Sequence, residues 1–114
     1  MLLNKRKEIK MINAIKRLLG MGPQTEYARL AKEGATILDV RSRGEFETGH
    51  ISGAVNIPVD QLRNNLNRLK DKNKPIITCC ASGMRSASAK TLLKANGYTA
   101  VYNGGGWSSL QYKL

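Results

Sequence analysis

Residues 74–87 read KPIITCCASGMRSA, and the parsing of this stretch decides the fold. Its first half, PIITC, is a run of apolar and β-branched residues launched from the turn-like KDKNK, which is the pattern of a buried strand. The segment that follows, SASAKTLLKANG, carries Ala89, Leu92, Leu93 and Asn96 at three- and four-residue spacing and ends on Gly97, the pattern of a capped helix. Between strand and helix, the small residues from Ala81 to Gly83 allow the backbone to curl so that successive N–H groups face inward. A helix starting near Arg85 adds the positive end of its dipole. A cysteine at the mouth of such a cradle has its thiolate stabilised relative to a free cysteine, whose pKa is about 8.5. Two adjacent cysteines compete for that place. Counted from Cys79 the unit is C-x5-R, and counted from Cys80 it is C-x4-R; the local pattern leaves both open, beside the bland reading of two buried small hydrophobes in a tight turn.

Outward from this stretch the same alternation repeats. TEYARLAKEGA reads as a short helix with Thr25 as N-cap and Gly34 as its stop, and TILDV as a buried strand. RGEFETGH reads as a helical turn closed by Gly49, and AVNI as a brief second strand. Pro58 opens a helix whose Val59, Leu62, Leu66 and Leu69 share one stripe, and TAVYN is the last strand. Short apolar strands alternating with helices specify an α/β fold, a small parallel sheet with helices on both faces. Ligands of such sheets bind beyond the carboxyl ends of the strands, which is where Cys79 and Cys80 stand.

A chain of 114 residues has room for one compact domain and an appendage. We assign residues 1–22 to a basic amphipathic N-terminal helix and 23–114 to the domain. In the helix, Met11, Ile12, Ile15, Leu18 and Leu19 recur at helical spacing among Lys10, Lys16 and Arg17; it is expected to pack on the domain or to make a weak membrane-surface or partner contact. Lys16 and Arg17 interrupt the apolar run that a secretory signal requires, and Met11 is an alternative start. The net charge of +11 raises nucleic acid as a ligand. The basic sets, before residue 20 and at Arg63, Arg68, Lys70, Lys72 and Lys74, contain no aromatic residue for base stacking, so no nucleic-acid partner is expected. Two adjacent cysteines can neither staple distant segments nor form a metal spacing, and the expectation is a cytoplasmic protein.

Four ordered blocks carry a resemblance: ILDVR (37–41), EFETGHISGAVNIP (45–58), KPIITCCASGMRSA (74–87) and GYTAVYNGGGW (97–107). In order and spacing they resemble the single-domain rhodanese-like sulfurtransferase family over about residues 24–110. The resemblance implies a rhodanese-like fold and transfer of a sulfane sulfur through a cysteine persulfide. It implies a small donor such as thiosulfate, a thiol, protein-cysteine or assay cyanide acceptor, and neither metal nor organic cofactor. The family loop resembles C-x-S-G-x-R-S, which places the nucleophile at Cys80 and the persulfide-binding loop at Ala81, Ser82, Gly83, Met84 and Arg85, followed by Ser86. Related phosphatases and arsenate reductases use a loop one residue longer around a tetrahedral oxyanion. In the C-x5-R register from Cys79, the glycine of their C-x-x-G-x-x-R signature would fall at Ser82, whereas the glycine here is Gly83.

The resemblance also assigns supporting residues. Asp39 and Arg41 match an Asp-x-Arg at a strand end near the loop, where the carboxylate is expected to hold backbone or Arg85. Arg85 either pairs with the donor's oxygens or holds the loop through a carboxylate or carbonyl. His50 lies in a structural turn, and Gly104, Gly105 and Gly106 let the chain turn tightly beside the loop. Cys79, one residue from Cys80 along a strand, is expected to face the core as an unreactive thiol. A non-catalytic binding module of the same fold is the rival reading, and retention of Cys80 with its whole loop argues against it.

Overall fold

The computed structural model describes residues 22–114, with side chains from residue 26 onward. The N-terminal helix expected over residues 1–22 lies outside the described residues but for its last. Ten elements follow in order: α1 (Gly22–Lys32), β1 (Thr36–Asp39), α2 (Arg43–Thr48), β2 (Val55–Asn56), α3 (Val59–Leu62), a 3-10 segment (Arg63–Arg68), β3 (Ile76–Cys80), α4 (Met84–Ala95), β4 (Val101–Gly106) and α5 (Trp107–Gln111). The strands form one parallel sheet in the order β2-β1-β3-β4.

The sheet divides two cores, and the division follows the two-residue period of its strands. On one face Leu38, Val40, Ile76, Cys80 and Val101 pack with Leu62 and Leu69 and with Ala89 and Leu93 of α4. On the other Ile37, Ile77 and Cys79 pack with Leu30 of α1 and Leu110 of α5. All five residues of β3 are buried, as those of a central parallel strand should be, and Thr78 is the one hydroxyl among them. Two tyrosine hydroxyls tie separate parts of the fold together. The Tyr27 hydroxyl donates to the Asn103 carbonyl over 2.9 Å, and that of Tyr98 to the Leu69 carbonyl over 2.6 Å.

Two local expectations need correction and a third is refined. Helix α1 begins at Gly22, so Thr25 lies inside it and does not cap it; Pro23 suits the first turn, where no intrahelical N–H bond is lost. The stripe at Val59, Leu62, Leu66 and Leu69 packs on one cluster as expected, but not on one helix: the chain tightens to 3-10 at Arg63, Asn65 (φ −126°, ψ 21°) kinks that segment, and Leu69 lies just past its end. The three glycines before Trp107 lie within strand β4, and the tight turn expected beside the loop is a bulge in that strand at which Gly105 takes a left-handed φ of +79°. A Cβ at Gly104 would lie 2.7 Å from Leu110 and 2.9 Å from both Ile77 and the Thr78 carbonyl, and one at Gly106 would lie 2.9 Å from the Ala81 carbonyl. Gly104 thus lets the backbone approach the core and strand β3, and Gly106 lets it approach the cysteine loop. The pairing of β3 with β4 slips between Thr78 and Cys80, which sets Cys80 opposite Gly106.

Among the described residues no helix is long and apolar enough to cross a membrane, and no group of His, Cys, Asp and Glu could hold a metal ion.

Candidate active site

Strand β3 ends on Cys80, and four residues later α4 begins at Met84. Gly83 makes this short passage possible: its φ of +103° is left-handed, and a Cβ there would press against Gly105 at 3.3 Å. The curl directs N–H groups at the sulfur. Gly83 donates its N–H to Cys80 Sγ over 3.0 Å and Ser86 over 3.4 Å, while the Ser86 hydroxyl lies 3.5 Å from Sγ. Burial pushes the Cys80 thiol pKa up. Against this act the Ser86 hydroxyl and the N–H groups of Ser86, Gly83 and Ser82, and together they win, leaving the pKa below its ordinary value.

Cys79 has the opposite environment. Its side chain is fully buried on the α1–α5 face of the sheet. Burial, reinforced by the nearby Asp39 carboxylate, pushes its pKa up to about 12 against the opposing pull of Arg41. Both thiols are free. Of the two registers, only the one counted from Cys80 has a sulfur inside the N–H cradle.

The four charged residues around the loop pair in a way the sequence did not indicate. Asp39 and Arg41, both buried, form a bidentate pair: Arg41 Nη2 lies 2.7 Å from Oδ2 and Nε 2.9 Å from Oδ1. The remaining Arg41 donors reach the Gly49 carbonyl at 2.7 Å and the Glu45 carbonyl at 3.3 Å, and the guanidinium lies 4.6 Å above the Trp107 ring. Asp39 also accepts the Arg41 backbone N–H, as the backbone-holding alternative required, but it does not hold Arg85. The partner of Arg85 is Glu45, at 2.7 and 2.9 Å in a fork-to-fork pair. Glu45 was not singled out from sequence, although a signal was present: Ser42 and Glu45 form a capping box at the start of α2, which fixes the carboxylate on the side facing the loop. The Arg85 guanidinium, with the Ser42 N–H and hydroxyl, holds the Glu45 carboxyl down at about 2.

Ser86 is buried beneath the sulfur, its hydroxyl 2.6 Å from Asn103 Oδ1 and 3.0 Å from the Gly83 carbonyl. Thr78 donates its hydroxyl to the Ser86 carbonyl over 3.0 Å, tying the first turn of α4 to the sheet. Ala81 and Ser82 are exposed at the rim, and Met84 beside them is 80% exposed. His50 is exposed, stacks on Phe46 and donates from Nδ1 to the Phe46 carbonyl over 2.8 Å, the structural turn that was expected.

A thiol seated under backbone donors at the carboxyl edge of a parallel sheet is a family arrangement, and comparison with known proteins decides which family. The profile of the Rhodanese-like domain family matches residues 23–113. The chain belongs to the rhodanese-like domain family. Among curated rhodanese-like relatives, the uncharacterized protein YqhL of Bacillus subtilis is 41% identical over 78 residues, which cover 68% of this chain and 61% of that protein. The thiosulfate sulfurtransferase PspE of Escherichia coli is 36% identical over 70 residues, 60% of this chain and 67% of that one. A rhodanese from E. coli solved with anions superposes with a TM-score of 0.62 at 33% identity, covering 66% of this chain and 89% of the other. Several further rhodanese-like relatives are much longer, this chain spanning 25% of a tRNA uridine(34) hydroxylase of Buchnera aphidicola.

Proposed function

We propose that this chain is a sulfurtransferase that carries a sulfane sulfur as a persulfide on Cys80. The reading rests on one observation above the rest: Cys80 Sγ receives the Gly83 and Ser86 N–H groups at the start of α4, which hold its pKa below the ordinary cysteine value. The thiolate attacks the outer sulfur of a donor such as thiosulfate. A sulfur–sulfur bond forms to Cys80 as the donor's own sulfur–sulfur bond breaks, and sulfite leaves with that electron pair. The charge then sits on the outer sulfur, toward the loop N–H groups from Ala81 to Arg85. A thiol, a protein cysteine or, in an assay, cyanide takes the outer sulfur and returns the thiolate, in the two half-reactions of a ping-pong cycle.

Arg85 and Arg41 act in this reading through position. Each is occupied by a carboxylate, so the cradle attracts the anion mainly with backbone N–H groups and the helix end. The name of the thiosulfate sulfurtransferase among the relatives supports thiosulfate as the first donor to try. The test is mass spectrometry of the protein after thiosulfate treatment: the expected result is one added sulfur atom, released by cyanide and mapped to Cys80. Absence of an adduct with thiosulfate and with low-molecular-weight persulfides, or an adduct on Cys79, overturns the proposal.

A further inference from the structure

Asn103, on β4, meets the cysteine loop from behind, and two neighbours fix the orientation of its amide. The Gly105 N–H donates to Oδ1 over 2.9 Å, and Nδ2 donates to the Gly83 carbonyl over 3.3 Å. Oδ1 is therefore the acceptor for the Ser86 hydroxyl 2.6 Å away. That hydroxyl has one proton and three acceptors in reach: Asn103 Oδ1, the Gly83 carbonyl at 3.0 Å and Cys80 Sγ at 3.5 Å. The Gly83 carbonyl already accepts the Ala87 N–H over 3.1 Å. While Cys80 is a thiol, the shortest contact takes the proton and a Ser86 lone pair receives the S–H. Once the sulfur is an anion it can only accept, and Ser86 serves it by turning its proton away from Asn103.

We infer that Asn103 is a positioning residue that orients the Ser86 hydroxyl, holding its proton away from Cys80 in the thiol state and yielding it when the sulfur is charged. The consequence for turnover rests on the proposed persulfide chemistry; the orientation itself can be read on the thiol alone. In a persulfide the charge moves to the outer sulfur, away from Ser86, and the hydroxyl returns to Asn103. The hydroxyl thus follows the charge through the cycle, while the N–H groups of Gly83 and Ser86 stay in place. Charged and titratable groups acting on this sulfur are Arg85 from α4 and Cys79 from β3, and Tyr102 of β4 belongs to the other face.

The experiment measures the pH dependence of iodoacetamide alkylation of Cys80 in the full chain, for Asn103→Leu and Ser86→Ala singly and together. Removing the competing acceptor in Asn103→Leu should lower the midpoint by about half a pH unit, the scale of one modest hydrogen bond. Ser86→Ala should raise it, and Asn103→Leu added to Ser86→Ala should change nothing further. An equal shift in both backgrounds, or a raised midpoint in Asn103→Leu alone, overturns the inference, because support of the loop needs no Ser86 hydroxyl. Asn103→Ala replaces the leucine variant should that fail to fold, with the same outcomes deciding. Loading of the parent and the variants with thiosulfate and with low-molecular-weight persulfides separates the two readings. Parent protein unloaded by either donor, with the expected pattern of midpoints, sinks the sulfurtransferase proposal alone, and loaded parent without that pattern sinks the role of Asn103 alone.

Discussion

Cys79 and Cys80 are covalent neighbours, yet their sulfurs belong to different chemical worlds. One thiol faces a closed apolar layer under α1 and α5, where an ionised sulfur has no donor and a carboxylate nearby, and its pKa is pushed up to about 12. The other faces the edge where β3 gives way to α4, and N–H groups left free by the start of a helix turn toward it. The difference comes from the alternation of a strand, which sends adjacent side chains to opposite faces. Which thiol meets the N–H groups is a matter of facing, and sequence proximity to the loop is not sufficient.

The comparison breaks most completely at Cys80. Cys80→Ser should abolish sulfur uptake in a thiosulfate-to-cyanide assay while the circular-dichroism spectrum of the folded protein is unchanged. Uptake persisting in this variant would transfer the chemistry to Cys79. Next in size is the buried pair beside Cys79. Arg41→Met leaves the Asp39 carboxylate without its guanidinium in a fully buried site and should cost about 3–5 kcal/mol in denaturant unfolding. A cost near zero would mean that Asp39 finds other partners or takes a proton.

Cys79→Ser sharpens the contrast from the other side. Placing a hydroxyl in that apolar layer should cost about 1–3 kcal/mol of stability, with sulfur transfer retained. If transfer is lost in the folded variant, the two thiols are functionally linked. The smallest effect belongs to Glu45 and is read against pH. Its carboxyl sits at about 2 in the fold against an ordinary 4.5, so over that interval the unfolded chain binds more protons than the folded one. The contribution of the Glu45–Arg85 pair is therefore complete above pH 4.5 and fades as pH falls toward 2. Thermal scans of the parent and of Glu45→Gln should converge across this window, and a gap that stays constant to pH 2 would contradict the assignment.

Patterns of short range were legible from residues alone. The apolar run of PIITC, the spacing of Ala89, Leu92 and Leu93, and the small residues of the loop led to the parallel sheet, the strand–loop–helix unit and the opposite facing of the two cysteines, because each depends on backbone periodicity within a few residues. The partner of Arg85 was not legible, since Glu45 is 40 residues away and reaches it only once the sheet has brought β1 and β3 side by side. Asn103 escaped notice for the same reason. It reads as an ordinary strand residue until the pairing of β3 with β4 sets it opposite Thr78 and behind Ser86. Periodicity determined which strand residues share a face and hence the fold, while the choice of Cys80 over Cys79 came from the family resemblance. Which polar groups meet across strands, and how Ser86, Asn103, Glu45 and Arg85 divide their hydrogen bonds, was decided by tertiary structure, because hydrogen bonds form or fail over tenths of an ångström that no local pattern specifies.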